Sequence, residues 1–222
     1  MKIDRAGVPF IAGPLVAASV LAVARRPLLA APLAALAAFM AFFFRDPDRA
    51  IPGDADVVVA PADGRVMFAG PAQEGVAPPG AWQQVSIFLS PLDVHVNRAA
   101  FGGEVTRVEY RPGRFLPAYK PNAARDNEQS EIWITRDGET VVMRQVVGIL
   151  ARRVVCRVAA GDVLQTGQRF GLMKFGSRMD VFLPTHASLC VRVGDVVTGG
   201  VSIVARLPPA PVGRGGGGEG PC

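Results

Sequence analysis

The chain has 222 residues, of which half are hydrophobic and only 19% charged, with a net charge of +5. Soluble domains carry about a quarter charged residues, so the apolar excess must be concentrated somewhere. The basic residues are scattered and show no helix-turn-helix, ribonucleoprotein-box or zinc-finger spacing, which argues against nucleic acid; Cys156, Cys190 and Cys222, an odd set without CxxC spacing, argue against a disulfide framework or zinc site and fit a reducing compartment.

The apolar excess lies before residue 45. Ala6–Ala24 and Leu28–Phe44 contain no charge, and only Arg25, Arg26 and Pro27 separate them. As helices they would reach roughly 28 and 25 Å, just short of a hydrocarbon core of about 30 Å. We expect residues 1–44 to form a helical hairpin anchored in a membrane, spanning or re-entrant. A removed signal peptide would explain the first run alone, and no small-residue cleavage site precedes the second. Lys2, Arg5, Arg45 and Arg49 flank the outer ends against Arg25 and Arg26 in the turn, which favours a cytoplasmic main domain at the cell membrane. A basic protein also suits anionic head groups.

Pro47 and Pro52 disfavour further helix. From Val57 onward the pattern is short strands punctuated by Gly and Pro: VVVA, RVMFAG, QVSIFLS, EVTRVEYR, EIWITR, ETVVMRQVV, RRVVCRV, DVFLP, LCVRV and VSIVA. This predicts a mainly β domain over residues 45–207, a barrel or sandwich with no long helix. VAAGDVLQTG from Val158 and VRVGDVVTGG from Val191 repeat V-x-x-G-D-V, in which Gly-Asp can close a tight turn. Such pairs recur in biotinyl-carrier-like sandwiches, although neither copy carries a modifiable lysine at its tip. Residues 208–222, rich in Pro and Gly, are expected to be disordered.

Candidate chemistry is sparse. Strand alternation around FLSPLDVHVNR sends Asp93, His95 and Asn97 to one face, where His95 can transfer protons near neutral pH or simply be satisfied by its neighbours. His186 reads as a loop residue. Asp63, before Gly64, is equally an ordinary turn residue. MKFGSRMD holds the one Gly-Ser pair, Gly176-Ser177. It reads either as a turn or as a peptide bond that its own serine hydroxyl can attack, given a nearby base.

Taken together, FFRDPDR after an apolar hairpin, APADGRV, FLSPLDVHVNR, Asn127-Glu128, MKFGSRMDVFLP and VRVGDVVTGG resemble the short form of the phosphatidylserine decarboxylase proenzyme family, in order from about Phe42 to Ala205. The resemblance implies self-cleavage at Gly176-Ser177 into chains 1–176 and 177–222, which remain together as a heterodimer; a higher oligomer is also compatible with it. It implies a pyruvoyl group made from Ser177 that forms a Schiff base with the substrate amine, with no metal and no pyridoxal phosphate. The implied reaction converts membrane phosphatidylserine to phosphatidylethanolamine and CO2. His95 then takes the proton-transfer role, Asp63 matches the acidic partner of the base, and Asn97 and Arg98 are candidate substrate contacts. Arg98 stands where the longer branch has a second histidine, so the base for self-cleavage stays open. Two other readings remain: a membrane-tethered carrier or binding module, and a pyruvoyl decarboxylase of a soluble amino acid.

Overall fold

The computed structural model describes residues 2–149, 154–174 and 176–207. The charge-free runs form helices α1 (Val8–Val23) and α2 (Pro27–Phe43), which pack against each other. Pro27 starts α2, a position where its missing N–H costs nothing. The helical stretch Arg5–Val23 is long and apolar enough to cross a membrane, whereas α2 is shorter at 17 residues. Both ends of the hairpin are tied down. Lys2–Ile3 pairs antiparallel with Arg45–Asp46, and both carboxylate oxygens of buried Asp4 accept from Arg157, at 2.7 and 2.6 Å. Burial alone would raise the Asp4 pKa, but the Arg157 hydrogen bonds and charge outweigh it and hold the carboxyl below its usual value.

The remainder is mainly β, as the alternating pattern predicts. An eight-stranded antiparallel sheet runs in the order Val163–Leu164, Gly103–Arg111, Gln129–Arg136, Glu139–Val146, Ser177–Pro184, Trp82–Leu89, Gly64–Pro71 and Val196–Val197. Two three-stranded sheets complete the fold: Val155–Cys156, Arg169–Leu172 and Val96–Arg98; and Ser188–Leu189, Ile203–Arg206 and Val57–Val59. Between them lies one large apolar core that includes Val85, Ile87, Ile132, Met143, Phe170, Met179 and Val181. A second cluster joins Phe43 and Phe44 to Val94, Val96 and Leu172, so the end of α2 is packed into the β domain. The only helix beyond α2 among the described residues is Ala123–Asp126, one short turn. The tail for which disorder is expected lies outside the described residues.

The repeated Gly-Asp segments fold alike. In each the glycine has positive φ, +94° at Gly161 and +98° at Gly194, a conformation that costs other residues. In each the aspartate accepts from the backbone three residues earlier: Asp162 from Ala159 N–H at 2.8 Å, Asp195 from Arg192 N–H at 3.0 Å. Each turn then adds a two-residue strand to one edge of the large sheet, so the repeat is architectural. Asp162→Ala and Asp195→Ala should each cost about 1 kcal/mol, read as similar small decreases in Tm; a large loss from only one would show that the two turns are not equivalent.

Candidate active site

Ser177 opens the strand Ser177–Pro184, which is paired on both sides: to Trp82–Leu89 through all eight residues and to Glu139–Val146 through five. Alternation along this strand separates two environments. Ser177 and Met179 face the core, while Arg178 and Asp180 face the opposite side of the sheet, where Arg178 donates to Asp180 at 2.6 Å and to Ser86 at 3.0 Å. The expected break at Gly-Ser is thus a glycine turn, φ +71° at Gly176, leading directly into a central strand. Ser177 is fully buried, and its hydroxyl has no hydrogen-bond partner among the described residues. An orphaned buried hydroxyl costs about 1–3 kcal/mol and asks for an explanation.

His95 is also fully buried. Its Nδ1 lies 2.9 Å from the Asp93 carbonyl, which makes Nδ1 the donor and leaves the Nε2 lone pair to accept from the Gly176 N–H at 3.4 Å. The imidazole lies against the Phe43 ring, centroid to centroid 4.2 Å. Burial pulls its pKa from 6.5 down to about 4, opposed by the Asp93 carbonyl and charge and assisted by the Arg45 charge. The ring is therefore neutral at pH 7, with its Nε2 on the N–H of the residue whose carbonyl begins the Gly176–Ser177 bond. Acyl transfer from the Gly176 carbonyl to the Ser177 hydroxyl is the chemistry this arrangement can support.

The other candidates fall around this pair at different distances. Asn97 is buried; its Oδ1 accepts from Gln145 Nε2 at 2.8 Å and its Nδ2 has no partner among the described residues. Arg98 points elsewhere. Its guanidinium donates to the carbonyls of Gly167 and Pro47, at 3.1 and 2.8 Å, and sits 3.4 Å from Asp46. Burial and the neighbouring Arg169 lower its pKa. Asp63 accepts from Arg49 at 2.8 Å and from the Gly199 N–H at 2.7 Å, and neither His95 nor Ser177 is among its hydrogen-bond partners. His186 pairs with Glu139 at 3.2 Å, half exposed at the surface.

Three contributors escape the sequence reading. Phe43 looks like one more apolar residue of the anchor. Gln145, in ETVVMRQVV, is a polar residue on a core-facing position, and that violation of the strand pattern is the signal that could have found it. Gly148 lies directly against the Gly176 carbonyl, and no local motif marks it.

The site thus consists of a buried serine after a positive-φ glycine, with a neutral histidine accepting from that glycine, in a β-rich domain that carries an apolar hairpin. The comparisons with known proteins give the family. The family model for phosphatidylserine decarboxylase matches residues 36–205. A phosphatidylserine decarboxylase proenzyme of Symbiobacterium thermophilum is 48% identical over 207 residues, 93% of this chain and 96% of the relative. Those of Solibacter usitatus and Geobacter metallireducens are each 42% identical, covering 93% and 91% of this chain and 97% and 95% of their own lengths. The chain belongs to the phosphatidylserine decarboxylase family and is an enzyme, a carbon–carbon lyase.

The depressed His95 pKa carries a sign. Between pH 6.5 and about 4 the unfolded chain binds a proton that the folded chain excludes, so this contribution to stability is lost as pH falls through that window. Phe43→Ala, placed in a Ser177→Ala chain to keep it whole, should admit water and move the His95 midpoint upward toward 6.5, measured by NMR titration of the ring. An unmoved midpoint would show that Phe43 is not a source of the desolvation.

Proposed function

We propose that the chain cleaves itself between Gly176 and Ser177 and, with the pyruvoyl group so formed at position 177, decarboxylates phosphatidylserine to phosphatidylethanolamine. The observation that carries this is the buried Ser177 hydroxyl, without a partner among the described residues, directly after a positive-φ glycine whose N–H donates to the Nε2 of His95.

In the first step the Ser177 Oγ gives its proton to a base, for which neutral His95 is suited, and attacks the Gly176 carbonyl carbon. The C–N bond breaks, the proton passes to the departing amine, and an ester joins Gly176 to the Ser177 side chain. Removal of the Cα proton of residue 177 then expels the Gly176 carboxylate and leaves a dehydroalanine. Its imine tautomer takes up water and loses ammonia, which leaves pyruvoyl on residues 177–222. The buried site fits this group, since the position of Ser177 is fixed by its pairing with Leu89, by the two-sided pairing of the strand from Arg178 onward and by the Arg178 anchor on the opposite face. When present, a ketone conjugated to an amide accepts the electron pair left as CO2 departs, which ordinary side chains cannot do. Neither a metal nor pyridoxal phosphate is required.

The residues of the chain supply the rest. His95, neutral at pH 7, can relay a proton from solvent to the substrate carbon that CO2 has left. The unused Asn97 Nδ2 is a donor for a polar group of the substrate. Arg98 contributes from one side by holding the Asp46–Pro47 segment. Asp63 supports the site through Arg49 and the Gly199 turn. The apolar hairpin anchors the enzyme to the membrane that holds its lipid. Phe42 and Phe43 are consecutive residues, one 42% exposed on the hairpin surface and the other against His95, so the anchor and the site meet at the end of α2.

Wild-type protein should run as two fragments on a denaturing gel, co-elute under native conditions, and release CO2 from phosphatidylserine vesicles. Co-elution follows from the ladders that seat Ser177–Pro184 between two strands of the larger fragment. Ser177→Ala should stay whole and release none. Release of CO2 by the uncut Ser177→Ala chain would refute the proposal.

A further inference from the structure

Gly176 and Gly148 need to be glycine for different reasons. At Gly176 the reason is conformational: φ is +71°, and a Cβ there would meet nothing within 4 Å. At Gly148 the backbone is one that any L residue adopts, yet a Cβ would overlap the Gly176 carbonyl oxygen, lie 3.0 Å from the carbonyl carbon, and come within 3.6 Å of the Ala118 Cβ. The obstacle is therefore backbone on the electrophilic side of the very bond that Ser177 would attack. A methyl group at 148 can be accommodated only by moving that carbonyl or the segment that presses on it.

The segment is held. Buried Asn127 spends its whole amide on it: Oδ1 accepts from the Leu116 N–H at 2.9 Å, while Nδ2 donates to the carbonyls of Leu116 and Val147, both at 2.8 Å. Val147 also donates to the Glu128 carbonyl at 3.1 Å. One side chain thus ties the loop before Ala118 to the residue before Gly148.

We propose that Gly148, clamped by Asn127, is a positioning residue for self-cleavage: its bare Cα forms a slot that fixes the Gly176 carbonyl for attack by Ser177. This inference rests on the self-cleavage reading above. It adds that the carbonyl is aligned by a steric wall supplied from the neighbouring strand end, and that glycine is required there for space. Displacing a reacting atom by about 1 Å can cost 100-fold in rate.

The test follows maturation by pulse–chase, with full-length protein in membranes, and repeats the chase with neutral hydroxylamine, which cuts an ester at Gly176 if one has formed. Gly148→Ala should mature about 100-fold more slowly and yield no hydroxylamine-dependent fragment, because the acyl shift itself is blocked. Its fold is judged by comparing the Tm of Ser177→Ala with that of Gly148→Ala/Ser177→Ala. Asn127→Ala, which loosens the slot without filling it, should slow maturation to a smaller extent, and it decides the matter if Gly148→Ala does not fold. Cleavage of Gly148→Ala at the wild-type rate, or ready trapping of an ester in it, would overturn the slot; so would wild-type maturation of Asn127→Ala should Gly148→Ala not fold. A wild-type chain that never cleaves would instead refute the parent reading.

Discussion

The structure depends on one constraint: Ser177 is the first residue of a strand hydrogen-bonded on both sides. A residue in that position cannot drift, since slipping the strand by one residue would turn every side chain to the wrong face. Arg178 reinforces the register from the opposite face, where a buried guanidinium bound to Asp180 and Ser86 leaves no alternative seat for the strand. Removing one member of such a buried pair is far more damaging than the pair is stabilising. The rigid side of the site therefore begins at the serine, directly after the positive-φ glycine.

Against that fixed strand the histidine is tuned by exclusion of water. Phe43 covers one side of His95, and the Asp93 carbonyl sets the tautomer that makes Nε2 the acceptor from the Gly176 N–H. The result is an imidazole that stays unprotonated well below its ordinary range. Because Phe43 is the last residue of α2, the apolar hairpin is also part of the wall around His95. Its removal would expose the imidazole to water. At this same end, the ties through Asp4–Arg157 and the short pairing of Lys2–Ile3 with Arg45–Asp46 hold the start of the hairpin beside Phe44 and against the β domain.

Much of this was legible in the sequence because period and punctuation are local signals. The charge-free runs predict both helices, Pro27 their boundary, alternation the β domain, and each Gly-Asp pair its turn. The Gly176-Ser177 pair and His95 stand out once several short stretches are read together. What alternation could not supply was long-range. It places His95 and Asn97 on one face, but that face is a surface or an interior only once the curled sheet and α2 close over it. Asp63 is met by Arg49 and Gly199, 14 and 136 residues away in the chain, and no local pattern encodes such partners. Gly148 is the clearest case. Its significance lies in a carbonyl 28 residues further along the chain, and a glycine needed for space looks the same in a sequence as one needed for flexibility.

The central claim is that the polypeptide makes its reactive carbonyl from its own serine. Denaturing intact-mass analysis of catalytically active protein tests it directly. The account predicts two chains: one ending in the free carboxylate of Gly176, and one covering residues 177–222 that is lighter by one ammonia than a chain beginning with serine. A single unbroken mass with an unaltered serine in a fully active preparation would contradict it.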